Sequence, residues 1–370
     1  MSDPARILVV QPSWVGDAVM ATPALRALRQ RFPQAEITYL MRRWVKPVYA
    51  GMPWADRLVT YRTGKTPRKA GRGQFFELAA RLRAAKFDMA VLLPNSFKTA
   101  LICRMARIPR VVGYERDGRG FLLTDRLLPA KANGKFVPSP ILRYYLGLAK
   151  YLGADSTDLR MELFVTDAER REAEEVLLRG GLPRDVDRPG SRGQPPMVLL
   201  NPGANYGAAK LWKPEYFAEL ADRLMGELNA TVLISAAPKE RPIVEQIKRH
   251  MKRVPVDLSN KGIGLGSLKE IVRRCDLMVT NDTGPRHIAA AMGVPVVTIF
   301  GPTHPEWTEI YYAKERIAKV KVFCGPCQKK TCPLDHRCIT RVTPNMVWDS
   351  AAELLGVAKK AEGVALPVVA

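Results

Sequence analysis

Apolar residues gather in short unbroken runs along this chain, and a polar turn carrying Gly or Pro follows most of them. Ile7-Leu8-Val9-Val10 is the first such run. Four apolar residues without alternation predict a strand covered on both faces. Pro12-Ser13-Trp14-Val15-Gly16-Asp17 then turns into residues 18–28, where Ala18, Val19, Ala21, Ala24, Leu25 and Leu28 recur with helical spacing. Further strands are predicted at Glu36-Ile37-Thr38-Tyr39-Leu40, at Asp88-Met89-Ala90-Val91-Leu92-Leu93 and at Val111-Val112-Gly113-Tyr114, with a helix over 99–105. Residues 61–73 are basic, Gly-bearing and without period, which predicts a mobile surface loop.

Thr166-Asp167-Ala168-Glu169 opens a charged helix running to about Arg179, and residues 183–196, rich in Pro, Gly, Arg and Asp, predict a linker or surface insertion. The strand–turn–helix pattern then resumes. Strands are expected at Met197-Val198-Leu199-Leu200, at 230–234, at Leu277-Met278-Val279 and at 295–300, with helices over 215–227, 238–251 and 268–274. Such alternation predicts α/β architecture with mostly parallel sheets. The two blocks predict an N-terminal Rossmann-like domain over 1–165 and a C-terminal one over 166–370. A ligand cleft is expected between the carboxyl ends of their sheets.

Three Gly-bearing turns face that expected cleft: Gly16-Asp17, Asn201-Pro202-Gly203-Ala204 and Asp282-Thr283-Gly284. None is a Gly-x-Gly-x-x-Gly fingerprint or a Gly-x-x-x-x-Gly-Lys-Ser/Thr phosphate loop, which argues against a dehydrogenase and a P-loop NTPase. Asp282 or Thr283 can cap a helix starting at Gly284, whose unpaired N–H groups suit a phosphate or diphosphate. His287 falls in the first turn of that helix, and Lys210 supplies a loose basic residue. Asp17, at the end of the first strand, suits a general base towards a sugar hydroxyl, and equally suits a helix N-cap.

Composition sharpens this in one respect. The chain has 370 residues, enough for two cored domains, and 47% hydrophobic content is ordinary. A net charge of +22 is not, and predicts an anionic partner: nucleic acid, an anionic membrane surface, or a phosphorylated or acidic substrate. No apolar run approaches the roughly 18 residues of a membrane-spanning helix. The first strand follows the start directly, so no signal peptide is expected. A cytoplasmic protein with peripheral membrane contact through Lys and Arg is expected.

Taken together and in order, several motifs carry a resemblance: Pro12-Ser13-Trp14-Val15-Gly16-Asp17, Leu93-Pro94-Asn95-Ser96-Phe97-Lys98, Asn201-Pro202-Gly203-Ala204 with Lys210-Leu211-Trp212, Thr280-Asn281-Asp282-Thr283-Gly284 with His287, and Phe300-Gly301-Pro302-Thr303. The set is similar to the ADP-heptose:lipopolysaccharide heptosyltransferases of glycosyltransferase family nine, with the first two pieces most like the heptosyltransferase II branch. The resemblance spans about 6–355. It implies a GT-B architecture, two Rossmann-like domains facing a cleft, and inverting transfer of a heptose from ADP-L-glycero-D-manno-heptose to the lipopolysaccharide inner core.

By the same resemblance, Asp17 would deprotonate the acceptor hydroxyl. Lys210 would pair with the leaving diphosphate, and the N–H groups of Thr283 and Gly284, with His287, would stabilise its charge. Gly203 would belong to the donor site, and Asp282 would hold heptose hydroxyls or orient its loop. Lys98, Arg68 and Lys69 would grip the anionic lipid A–Kdo acceptor. Many members carry a Gly and an acidic residue near the nucleoside, where this chain has Ser235-Ala236-Ala237-Pro238-Lys239-Glu240. Glu240 is the acidic residue available there.

No cofactor is implied for catalysis. Cys324, Cys327, Cys332 and Cys338, with His336, nonetheless crowd one short segment, as a structural zinc or iron–sulfur site would require. Such a site is expected to brace a loop. A nucleotide-sugar 2-epimerase shares the layout, but four histidines offer it few catalytic candidates. A basic nucleic-acid-binding protein is disfavoured because the charge is spread through α/β blocks without an aromatic-interleaved basic motif. Nucleic acid is therefore not an expected partner.

Overall fold

The computed structural model describes residues 3–61, 71–183 and 195–357. Its first sheet is built from β1 (Arg6–Val10), β2 (Glu36–Arg42), β3 (Arg57–Tyr61), β4 (Met89–Leu92), β5 (Arg110–Tyr114) and β6 (Asp125–Leu127) in the order β3-β2-β1-β4-β5-β6, parallel throughout. Helices α1 (Val15–Met20), α2 (Thr22–Arg31), α3 (Lys46–Tyr49), α4 (Gly71–Ala84) and α5 (Phe97–Met105) connect its first five strands. A short hairpin, β7 (Lys131–Ala132) with β8 (Lys135–Phe136), leads to α6 (Ile141–Tyr151), which lies on α2.

α7 (Asp167–Arg179) starts where the sequence places it, because Thr166 and Glu169 form a reciprocal capping box. The second sheet follows: β9 (Met197–Asn201), α8 (Pro214–Glu227), β10 (Thr231–Ile234), α9 (Arg241–His250), β11 (Val256–Asp257), α10 (Leu265–Arg273), β12 (Leu277–Asn281), α11 (Gly284–Ala291), β13 (Val296–Ile299) and β14 (Glu315–Ala318). Its order, β11-β10-β9-β12-β13-β14, repeats that of the first sheet, again all parallel. The short α12 (Arg337–Thr340) and the longer α13 (Pro344–Leu354) finish the described chain, with α13 packed on α8 and β13. Among the described residues no helix is long and apolar enough to cross a membrane.

The unbroken apolar runs are the central strands. Ile7, Leu8, Val9 and Val10 are fully buried, as are Val198, Leu199 and Leu200. In each sheet the strand order reverses beside the first strand of the block, between β1 and β4 and between β9 and β12. Such switch points open a crevice at the carboxyl ends of the strands, where ligands bind. The turns after β1, β9 and β12 all leave from these crevices, and they carry Asp17, Gly203 and Asp282. The expected linker at 183–196 falls mostly outside the described residues, as do most of loop 61–73 and, within it, Arg68 and Lys69.

Candidate active site

The two crevices face one another across a cavity of about 860 Å³ lined from both blocks. α1 packs directly against α11, and two glycines permit that approach. A Cβ on Gly16 would stand 2.8 Å from Cδ2 of His287, and one on Gly284 would stand 3.0 Å from Cβ of Val15. The first is shorter than Cβ contacts allow, so the His287 ring or the helices must move, and the second requires Val15 to give by a few tenths of an ångström. Replacing Gly16 with Ala should therefore wedge the two helix starts apart. We expect a fall in turnover of about tenfold or more and a loss of about 1–3 kcal/mol of stability, typical of overpacking. Steady-state rates and a denaturant titration read the two effects. Wild-type turnover would show that the close approach is not needed for function.

Asp17 occupies the third position of α1, not its cap. Trp14 holds the cap position, and no side chain caps this helix. The cap reading of Asp17 is thereby displaced. Its carboxylate lies near the buried Tyr49 and Tyr145, and burial pushes its pKa up to about 6. A carboxylate poised there is still charged at neutral pH yet holds a proton well enough to take one from a hydroxyl.

Across the cavity the second block builds a cationic cradle. Lys210, 10% exposed in its side chain, donates from Nζ to Asp282 Oδ2 at 2.5 Å and to the Asp282 carbonyl at 3.0 Å. Thr303 Oγ1 adds a bond to the same carboxylate oxygen at 2.7 Å, and Arg286 Nη1 lies 3.9 Å from Oδ1. Burial alone would raise the pKa of Asp282, but the charges of Lys210 and Arg286 outweigh it and hold the carboxyl below its ordinary value. Asp282 is thus held as an anion at neutral pH and orients Lys210 and the loop entering α11.

Thr283 is the N-cap of α11, and it makes no side-chain cap bond. Pro285 in the first turn has no N–H, so the free donors at this helix end are fewer than the motif suggests. Arg286 is fully buried and fixes the helix. Its Nε and Nη2 donate to Glu315 at 2.6 and 2.8 Å, and Nη1 donates to the Thr308 carbonyl at 2.9 Å. His287 behaves differently from a cation. Burial first, then the charge of Arg286, lowers its pKa to about 3, so it is a neutral imidazole whose Nδ1 has no partner among the described residues. It can offer one N–H to an anion, but no positive charge.

Beneath the cavity floor, a buried amide network ties the turns together. Asn281 Nδ2 donates to the Pro202 carbonyl at 2.7 Å, Asn201 Nδ2 to Thr280 Oγ1 at 3.2 Å, and Ser235 Oγ to Asn201 Oδ1 at 3.3 Å. Asn201 and Asn281 belong to motifs the sequence singles out, but their role in joining three turns depends on strand neighbours read only in the fold. Gly203 packs on Glu240, where a Cβ would come 2.2 Å from the carboxylate. Glu240 and Ser235–Lys239 line the cavity, together with Ile263, Leu265 and Leu268. Those three apolar residues were not anticipated from sequence.

The expected acceptor side is less gathered. Lys98 is exposed on the first turn of α5, at the carboxyl edge of the first sheet, and does not line the cavity. The turn before it is built around Arg119, a fully buried residue that sequence reading passes over. Arg119 Nη1 donates to the Pro94 carbonyl at 2.5 Å, Nη2 to Asn95 Oδ1 at 3.1 Å, and Nε to the Tyr114 carbonyl at 3.1 Å.

The cysteine segment lies against the loop that carries Lys210. Ala209 N donates to the Lys330 carbonyl at 3.0 Å, and Tyr206 Oη to the Gln328 carbonyl at 2.7 Å. Cys338 is buried, Cys327 exposed, and all four thiols are free. Among the described residues no three His, Cys, Asp or Glu side chains converge as a metal-ligand set. Cys324, Cys327 and Cys332 nonetheless all lie near enough to Cys338 for their charge to add to the effect of burial in raising its pKa, and the contacts to the Lys210 loop are made by backbone carbonyls.

Comparison with known proteins accords with this layout. The chain is 30% identical to lipooligosaccharide heptosyltransferase 2 of Haemophilus influenzae, covering 94% of this chain and 99% of that one. It is also 30% identical to lipopolysaccharide heptosyltransferase 2 of Escherichia coli, covering 95% and 98%. The solved structure of E. coli ADP-heptose lps heptosyltransferase II superposes with a TM-score of 0.76 at 27% identity, over 95% of this chain and 98% of that one. The two-block architecture is thus GT-B. Residues 75–337 match the model of glycosyltransferase family 9 (heptosyltransferase), and the chain belongs to that family of enzymes.

Proposed function

We propose that this glycosyltransferase moves a heptose from ADP-L-glycero-D-manno-heptose to the lipopolysaccharide inner core, in the manner of the heptosyltransferases 2 it resembles. The observation that carries the reading is the opposition of Asp17 on one block to the Lys210–Asp282–α11 cradle on the other, across one cavity. The diphosphate lies in the cradle, with its charge met by Lys210, by the N–H groups of Thr283 and Gly284, and by one N–H of His287. Its nucleoside extends over Gly203 towards Glu240, Ile263 and Leu265. The heptose is left between the cradle and Asp17.

Asp17 takes the proton of the acceptor hydroxyl as that oxygen attacks the anomeric carbon and the bond to the diphosphate breaks. Attack opposite the leaving group inverts the anomeric centre in one step. Charge neutralisation comes from the protein, so the reading assigns no metal or cofactor to the reaction. Lys98, with Arg68 and Lys69 of the loop outside the described residues, meets the anionic lipid A–Kdo part of the acceptor. The same basic surface makes peripheral contact with the cytoplasmic face of the inner membrane.

Thermal shift against ADP, UDP, GDP, CMP and NAD tests the donor half. Selective stabilisation by ADP is expected, worth about 2.7 kcal/mol at a hundredfold excess over its Kd. Stabilisation by UDP instead would reassign the site to another sugar nucleotide and favour the epimerase reading. Transfer to a heptose-deficient core, with the product anomer read by NMR, tests the acceptor half and the inversion.

A further inference from the structure

One lysine far from the cradle is wholly buried between the two blocks. Lys269, on α10, is 0% exposed, and its Nζ reaches three acceptors from three different segments. It donates to the Pro47 carbonyl at 2.7 Å, on α3 of the first block, and to the Phe164 carbonyl at 2.7 Å, in the irregular segment that leads into α7. Its third contact is Glu169 Oε2 at 2.9 Å, in the first turn of α7. All three ammonium protons are thus spent on separate pieces of chain. A compact apolar residue would fill this space without the cost of desolvating a charge, so stability alone is a weak reason for an ion here.

Both ends of the connection lead to the active site. On α10, Leu265 and Leu268 line the cavity, and Leu268 is the immediate neighbour of Lys269. In the first block, α3 packs against α1 as well as against α10, and the last residue of α3, Tyr49, lies close enough to Asp17 to sense its charge. Tyr49 is itself fully buried, so α3 cannot shift without disturbing the wall behind Asp17. The line of contact runs from the donor-side wall through Lys269 and Pro47 to the helix that backs Asp17.

We propose that Lys269 is a positioning residue that sets the distance between Asp17 and the donor cradle, by pinning α3 and the segment around Phe164 to α10. The inference rests on Asp17 being the base. Near-attack geometry is steeply sensitive to such distances, and a misplacement of about 1 Å can cost about a hundredfold in rate. Among the described residues Lys269 makes no hydrogen bond to the cradle, and α10 keeps its own packing on α11, so donor affinity should depend on Lys269 much less than turnover does.

Two substitutions test this. Lys269→Met removes all three bonds, whereas Glu169→Gln keeps an acceptor oxygen for the Thr166 cap and weakens only the charged contact. For Lys269→Met we expect ADP affinity by calorimetry within about threefold of wild type, a fall in kcat of tenfold or more, and a larger radius of gyration by solution scattering. For Glu169→Gln, which carries the test should the first variant not fold, a three- to tenfold fall in kcat with the same split is expected. Wild-type kcat in a folded variant would overturn the proposal. So would parallel loss of ADP affinity and kcat with unchanged scattering, since Lys269 would then merely support α10. The scattering result is independent of the chemistry of Asp17, so a failure of the base assignment would be seen separately, as an active Asp17→Asn enzyme.

Discussion

Replacing Asp17 with Asn is expected to lower heptosyl transfer about 10³-fold, leave ADP affinity within about twofold, and raise the melting temperature. The first effect follows if Asp17 is the proposed proton acceptor, for whose removal losses of about 10²–10⁴ are usual. The second follows because the proposed ADP cradle belongs to the other block and, among the described residues, makes no hydrogen bond to Asp17. The third follows from linkage. Burial raises the folded pKa from 3.8 to about 6, so the folded chain holds this proton more tightly than the unfolded one. Stability associated with Asp17 is therefore greatest at low pH, falls as pH rises between those values, and is lost above about 6. A shift of this size in a partly exposed group costs about 2 kcal/mol at pH 7.5, and Asn relieves it. The same titration predicts that kcat/KM of the wild type falls about tenfold per pH unit below pH 6. Residual activity of the Asn variant should lack that limb. Loss of ADP binding equal to the loss of turnover would make Asp17 a support of the α1 turn instead.

Much of this arrangement is visible in the sequence, and the parts that are not share a physical cause. Central strands such as β1 and β9 announce themselves because burial on both faces demands unbroken apolar runs. The edge strands do not. β3, β6, β11 and β14 are only partly buried, and residues such as Arg57, Asp125 and Glu315 give them no apolar run. α6 is a different case, a helix whose Leu142, Tyr145, Leu146 and Ala149 have helical spacing and are buried.

Among the candidate site residues that line the cavity, Asp17, Gly203, Lys210 and Asp282 are legible because each follows an apolar run in a Gly-bearing turn or belongs to a recognisable motif. The charge state of His287 was not. Its neutrality comes from burial against α1 and from Arg286, and the first of these exists only once the blocks meet. Lys269 lies at the far limit, since two of its partners are backbone carbonyls 222 and 105 residues away in the chain. A carbonyl acceptor leaves no signature in residue type. The cysteine segment is the converse case: its spacing is plain in the sequence, while the burial of Cys338 and the exposure of Cys327 are set only by the fold.

Lys210→Met is expected to fail in two separable ways, and a second substitution distinguishes them. Removing the ammonium leaves Asp282 buried, with Thr303 and the more distant Arg286 as its remaining partners. Breaking a buried pair from one side typically costs about 3–5 kcal/mol, so a melting temperature several degrees lower is expected. Since Lys210 is among the charges that hold the Asp282 pKa down, its loss lets burial push that pKa up. Because the Asp282 pKa lies below its unfolded value in the wild type, its stabilising contribution is full at neutral pH and is lost as pH falls through the acid range. The variant should lose part of this contribution already at neutral pH.

Turnover should fall about 10²–10³-fold and ADP affinity at least tenfold, because the diphosphate loses its principal cation. Adding Asp282→Asn removes the unpaired charge, and the double variant should recover to within about 1 kcal/mol of wild-type stability. Its activity and ADP affinity should stay low, since the cation is still missing. Recovery of turnover along with stability would mean that Lys210 serves only to neutralise Asp282, and that the diphosphate is held by the start of α11 alone. The cycle therefore decides whether the Lys210–Asp282 pair is a brace within the cradle or the part of the cradle that meets the leaving group.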